Sequence, residues 1–246
     1  FNCQFLNICK YKINRQSSLK IWNEIPIKEN KDKLISIPSC FKFISPHPYY
    51  DLGAPYKGKK SIWKLREEVV KRLIKVNDFL KLKNNSLSLL IYDSWRPIEV
   101  QKFMFNRAFI LECERLDIDA SEKDMERYPI VKKNVEKFWA YPSFDDRCPP
   151  PHSTGGALDI TLADKYGNII YMGSNIDQMD DKSKPDFYNN IDNVDAISWN
   201  NRRKLLKEIM IKFEFVQHPN EWWHFSYGDQ LWAWKNKKPN ALYGKI

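Results

Sequence analysis

The sequence predicts a single α+β domain: an antiparallel sheet with helices packed over it and a metal site on its exposed face. Three observations predict it. Alternating apolar stretches at 87–92, 157–162 and 223–227 read as strands, and helical periodicity covers 62–80, 97–116 and 198–213. The stretch at 148–162, CPPPHSTGGALDITL, sets His152 seven residues before Asp159, with Gly155 and Gly156 between them.

Residues 1–60 carry little periodicity, and Pro38, Pro46, Pro48 and Pro55 punctuate extended connections. We expect residues 1–60 to be an arm packed on a catalytic domain of residues 61–246. Tyr49, Tyr50 and Tyr56 are candidates for that contact, and His47 reads as structural or exposed. Ser61 suits an N-cap. Ile62, Leu65, Val69, Leu73, Val76 and Leu80 then recur at the spacing of a helix with one buried face. Leu87, Leu89 and Ile91 belong to a largely buried strand ending at Asp93 and Ser94. Pro97 fits the first turn of the next helix, which leaves Arg96 in the turn between strand and helix. Residues 121–140 are charged and helical in two pieces, interrupted at Pro129. Pro149, Pro150 and Pro151 fix φ on the approach to His152.

After Asp159 a polar turn at 164–168 leads back into a strand at 169–172. The long polar loop at 173–193 suits a lid or binding loop. Ser198 is a candidate cap for a helix that buries Leu205, Ile209 and Phe213. Phe215 and Val216 form a short strand, Pro219 and Asn220 a turn, and 223–227 the last strand. Residues three apart on a strand face opposite sides, so we expect Glu221 in the turn or a bulge before the strand. A helical segment would also bring it beside His224, but two tryptophans after Pro219 and Asn220 favour strand entry.

The chemistry starts at 157–162. Leu158, Ile160 and Leu162 share one strand face, and Asp159 is on the other. Two glycines allow the bend that folds His152 back beside Asp159. Taken alone, Asp159 as a solvent-facing strand residue and His152 as a loop residue are the commoner readings. However, the chain has only four histidines, and His152 and His224 both lie beside carboxylates in glycine- or tryptophan-marked segments. His152, Asp159 and His224 suit one zinc ion per chain with a position open for water. Glu221 would be the base acting on that water. Cys148 as a fourth ligand would close the site, so we do not include it.

These residues resemble a known family. From His152 onward the chain keeps His152, Gly155, Ala157 and Asp159 of an SxHxxGxAxD frame, with Pro150 in place of the serine, and Glu221, Trp223 and His224 match ExWH. With the YDSWRP run at 92–97 and the MGSNIDQMD run at 172–180, the chain resembles the D-alanyl-D-alanine dipeptidases of the VanX type, from about residue 62 to the C-terminus. The resemblance implies a zinc metallopeptidase hydrolysing the D-Ala-D-Ala dipeptide in peptidoglycan metabolism. In it Glu221 is the general base and Arg96 the donor to the oxyanion; without it, Arg96 reads as a surface arginine or a partner for Asp93. By the same resemblance Asp177 takes the substrate ammonium. Because Pro150 lacks a hydroxyl, Ser153, Thr154 or backbone N–H groups are the candidates for the carboxylate. The alternatives are a D,D-carboxypeptidase or endopeptidase on longer wall peptides, with the 173–193 loop deciding access, and a non-catalytic hedgehog-like zinc domain.

Composition narrows the partners. The net charge of +9 is interleaved with acidic residues and forms no basic block, which argues against nucleic acid. No apolar run approaches the ~20 residues of a membrane span. Five cysteines at irregular spacing lean toward a reducing compartment. We expect a cytoplasmic protein, or a periplasmic one if an export signal was removed before Phe1.

Overall fold

Apolar alternation and helical spacing place a sheet and two long helices back to back in the computed structural model, which describes residues 20–58 and 62–246. In chain order the early elements are a 3-10 turn at Ile21–Glu24, β1 (Leu34–Ser36), β2 (Lys42–Phe43), α1 (Pro48–Asp51), β3 (Lys64–Arg66), α2 (Glu67–Lys83), β4 (Leu87–Asp93) and α3 (Ile98–Arg115). A 3-10 turn at Glu122–Asp124, α4 (Pro129–Val135) and a 3-10 turn at Pro151–Thr154 lead to β5 (Ala157–Asp164). A 3-10 turn at Asp181–Ser183, α5 (Val194–Lys212), β6 (Val216–Gln217), β7 (His224–Ser226) and α6 (Gln230–Lys235) complete the fold.

The main sheet has the order β2-β4-β5-β7-β6. It is antiparallel except at one edge, where β2 runs parallel to β4. β1 and β3 form a separate antiparallel ribbon. One apolar core joins α2, α5 and the inner face of the sheet through Val69, Leu73, Leu89, Leu158, Ile160, Leu206 and Phe225. A second core joins α1, α3 and α4 through Tyr49, Val100, Phe105, Phe109, Val131 and Trp139.

Local chemistry explains most boundaries. α2 carries Glu67 and Glu68 in its first turn and Lys81 and Lys83 in its last, which suits the helix dipole. It begins later than the apolar spacing suggested: Leu65 is buried from strand β3, because a strand residue can meet the same core that a helical one would. The expected cap, Ser61, lies outside the described residues. α5 begins at Val194 rather than Ser198, since the Asn193 side chain accepts from the backbone N–H of Ala196 and satisfies that end first. The return at 169–172 is an isolated bridge, Ala163 to Ile169, rather than a strand. Pro129 starts the second helical piece, as its fixed φ favours. Among the described residues no helix is long and apolar enough to cross a membrane.

Candidate active site

The sheet register puts three acidic and imidazole side chains in a row. Asp93 on β4 pairs with Asp159 on β5, and Asp159 pairs with His224 on β7. The β4–β5 register shifts between Ile91 and Asp93, and such irregularities re-aim side chains beside functional sites. His152 arrives by a different route, on the 3-10 turn that follows the prolines. Gly155 closes that turn at φ +73°, where a Cβ would also meet the Leu34 side chain at 2.9 Å. A Cβ on Gly156 would stand 2.6 Å from the carbonyl oxygen of Tyr227. Both glycines are therefore required for the turn to dock against the sheet.

His152, Asp159 and His224 are buried and converge, with ligand atoms all within 4.8 Å of one another. His152 Nδ1–H donates to the Ser94 carbonyl oxygen at 2.7 Å, leaving Nε2 to face the cluster. His224 Nε2 is 3.3 Å from Ser226 Oγ, leaving Nδ1 to face it. The two inward nitrogens are 3.1 Å apart, and the Asp159 oxygens lie 3.3 Å from His152 Nε2 and 3.1 Å from His224 Nδ1. Ring nitrogens fixed by hydrogen bonds on their far side, together with one carboxylate, form the donor set that zinc prefers. Burial opposes the charge of Asp159, but His152 and His224 hold its carboxyl well below the usual carboxylate range.

Glu221 sits in the turn before β7, buried, with Oε2 3.7 Å from His224 Nδ1 and Oε1 3.5 Å from His218 Nδ1. Burial pushes its carboxyl well above the ordinary value, and the charges of Asp159 and Asp177 push it further. Arg96 is buried rather than on the surface. Its Nε and Nη2 donate to Asp93 Oδ2 at 3.0 and 2.6 Å, and its Nη1 donates to Gln101 Oε1 at 2.8 Å. The guanidinium carbon lies 4.8 Å from the centre of the Tyr49 ring and 5.3 Å from that of Trp139. The Tyr49 hydroxyl donates to Asp177 Oδ2 at 2.8 Å, so one tyrosine ties the arginine cradle to the loop carboxylate.

Asp93 is the residue the sequence reading undervalued. It accepts from Arg96, stands 3.2 Å from His47 Nε2, and lies 3.6 Å from His152 Nδ1. Burial works against its charge, yet Arg96, His47 and His152 together hold its carboxyl below the usual range. His47 is buried and structural: its Nδ1 accepts from the N–H groups of Tyr49 and Tyr50 at the start of α1. The signal for Asp93 was its place three residues before Arg96 at the end of an apolar strand. The sequence marked Tyr49 only as a packing contact, and nothing in it marked Gln101 or Trp139.

His152, Asp159, His224, Glu221, Arg96 and Asp177 line one cavity of about 1010 Å³; Asp93, His47 and Tyr49 lie behind them. Ser153 and Thr154 are not brought to it. The Ser153 hydroxyl donates to the Arg96 carbonyl, and the Thr154 hydroxyl donates to the Pro151 carbonyl while accepting from Gly156 N–H. Their positions inside the tight turn use up those hydroxyls. The expected cover is also different. Of the 173–193 loop only Asp177 lines the cavity, whereas residues 136–152 and Lys20, Trp22 and Asn23 form much of its wall.

Comparisons with known proteins identify the family. The family model described as D-ala-D-ala dipeptidase matches residues 44–241. A D-alanyl-D-alanine dipeptidase of Synechocystis sp. is 38% identical over 235 residues, covering 93% of this chain and 95% of that protein. One from Escherichia coli is 42% identical over 74 residues, covering 30% and 36%. Two solved structures are more distant. A vancomycin-resistance D,D-pentapeptidase VanY variant in complex with Zn(II) has a TM-score of 0.48 at 14% identity over 85% of this chain and 86% of that one. VanYB in complex with D-alanine-D-alanine has a TM-score of 0.45 at 13% identity over 87% and 88%. The chain belongs to the D-Ala-D-Ala dipeptidase family and is a zinc metallopeptidase that hydrolyses cell-wall peptides.

Proposed function

We propose that the protein cleaves the free D-Ala-D-Ala dipeptide, with His152 Nε2, Asp159 and His224 Nδ1 holding one zinc ion. The observation that carries this reading is the convergence of those three donors, with Glu221 Oε2 3.7 Å from His224 Nδ1 and Arg96 Nη2 3.6 Å from Asp159 Oδ2. Zinc bound there supplies Lewis acidity, activating a water and polarising the scissile carbonyl, and its charge counters the burial that pushes the Glu221 carboxyl up. Glu221 accepts the water's proton and returns it to the leaving amine. Arg96 already has both Nε and Nη2 on Asp93 and one Nη1 hydrogen on Gln101, so it is held in place before substrate arrives. Its remaining Nη1 hydrogen is available to the oxygen that gains charge as the carbonyl becomes tetrahedral. Asp177, beside Tyr49, receives the substrate ammonium.

One observation favours a second reading. A cavity of about 1010 Å³ is at the upper end of those that hold drug-sized ligands, ~300–1,000 Å³, and two alanines are far smaller. That room suits a D,D-carboxypeptidase acting on a longer peptide. Incubating the zinc-loaded protein with D-Ala-D-Ala, L-Ala-L-Ala and a pentapeptide ending in D-Ala-D-Ala separates the two. The dipeptidase reading expects cleavage of D-Ala-D-Ala alone. Cleavage of the pentapeptide at a similar rate would replace it with the second.

A further inference from the structure

A dipeptide brings an ammonium, a reacting carbonyl and a carboxylate, and the third of these still lacks a partner. Pro150 has no hydroxyl to offer, and those of Ser153 and Thr154 are spent within their own turn. Most of the cations that line the cavity are also committed or exposed. Arg96 is bound to Asp93, Lys132 pairs with Glu126 at 2.6 Å, and Arg147 pairs with Asp145 at 2.6 Å with 89% of its side chain exposed. Lys102 and Lys137 are exposed.

Lys20 is different. It is half-buried in the cavity wall, and its Nζ donates to the carbonyl oxygen of Glu136 at 2.9 Å. Among the described residues no carboxylate stands within ion-pair distance of it, and the remaining stretches of the sequence contain no Asp or Glu. An ammonium carries three donors, so two are left. Half-burying a charge without an opposite one is costly, and an incoming carboxylate would remove that cost.

The segment that carries Lys20 is fixed in place. Its backbone N–H donates to Asn23 Oδ1 at 2.8 Å, and the Trp22 ring lies edge-on to His218, 5.8 Å between centres. The Gln230 side chain donates to the carbonyls of Asn23 and Ile25. Trp22 and Asn23 also share a small cavity with Pro149 and Pro151, which puts this turn beside the position where the family's frame has its serine. Burial pushes the Lys20 ammonium below the ordinary lysine range, against the opposing pull of Glu221 and Glu136.

We infer that Lys20 binds the carboxylate of the substrate, from a segment that precedes the residues matched by the family model. The inference rests on the dipeptidase reading of the site. A purely structural lysine would instead tie the segment to the end of α4 through Glu136.

Steady-state kinetics on D-Ala-D-Ala and on its C-terminal amide separate these roles, using wild type, Lys20→Met and Lys20→Arg at matched zinc content and with melting temperatures recorded. Wild type should prefer the free acid. Lys20→Met should raise KM for the acid about 10- to 100-fold, as loss of a hydrogen bond between charged groups does, with kcat largely kept and the amide little affected. Lys20→Arg should recover most of the preference. Equal losses on acid and amide, or an unchanged preference for the acid in Lys20→Met, would overturn the assignment and leave the dipeptidase reading standing. A wild type that cleaves neither substrate would overturn both. Should Lys20→Met fail to fold, Lys20→Gln read on the same two substrates gives the same decision.

Discussion

The two halves of the site are built in opposite ways. The half that would hold the metal is mounted on the sheet, where pairing fixes Asp93, Asp159 and His224 in one row. The half that would hold the substrate is drawn from remote segments: Tyr49 from α1, Arg96 from the turn after β4, Trp139 from beyond α4, Asp177 from a loop and Lys20 from near the start of the described chain. Backbone pairing sets positions finely, and a metal ligand tolerates little change of residue type. A cradle of side chains on loops can be altered piece by piece. The metal half should therefore respond to substitution in an all-or-none way, and the substrate half in graded steps.

The largest effects are expected at the metal half. His152→Ala and His224→Ala should each purify with zinc well below one per chain and with no measurable hydrolysis. Metal analysis after exhaustive dialysis checks this, and full zinc occupancy in either variant would remove that histidine from the ligand set. Next comes Glu221→Gln, which fills the same space but cannot take a proton. It should retain zinc and lose roughly 10²–10⁴ in kcat. A variant with zinc bound and near-normal turnover would free Glu221 from the role of base.

The same contrast explains what could be read from the sequence. Strand periodicity put Asp159 on the face away from Leu158, Ile160 and Leu162, and the rule that residues three apart face opposite sides put Glu221 in the turn, where it lies. Gly155 and Gly156 announced a bend, and the structure uses both. These are local signals with fixed periods. Ser153 and Thr154 illustrate the limit: their hydroxyls close the turn, a fate set by the 3-10 geometry rather than by residue type. The early start assigned to α2 failed because Ile62 and Leu65 have helical spacing but belong to an irregular stretch and to β3. Lys20 and Tyr49 are separated from the motifs by tens of residues and Trp139 lies outside them, and only the packing of α1, α3 and α4 into a second core brings Tyr49 and Trp139 to Arg96.

Arg96 lies where the halves meet, because Asp93 belongs to the row of strands and also holds the guanidinium. If Arg96 acts only as charge develops, Arg96→Ala should lower kcat by about 10²–10³ and leave KM little changed. Lysine should recover only part of the rate, since one ammonium cannot bond Asp93 and Gln101 as the planar fork does. A pure KM effect at matched zinc content would move Arg96 into ground-state binding. Asp93→Asn tests the link from the other side: it should reproduce part of the kcat loss without removing the metal, because His152 keeps its bond to the Ser94 carbonyl.

The mildest and most graded response is expected at Asp177, on the loop. Burial, and then the charge of Asp159, push its carboxyl up to about 7, while Arg96 and the Tyr49 hydroxyl pull the other way. A raised value means that the group is neutral below that pH and charged above it. A substrate ammonium binds the charged form, so affinity should be present above the pKa of this carboxyl and fall away as the pH drops through it; a zinc ion beside Asp159 offsets the charge that raises it, so the limb of the zinc-loaded protein should lie below 7. Asp177→Asn keeps the shape and can still accept from Tyr49, but it has no charge to offer. It should raise KM roughly 10- to 100-fold, leave kcat nearly intact, and flatten the acid side of the KM profile. The profile is the sharper measurement, because a loop that merely covers the cavity would change KM equally at every pH. If the acid limb survives in Asp177→Asn, the ammonium is held elsewhere and the substrate half must be redrawn around another carboxylate.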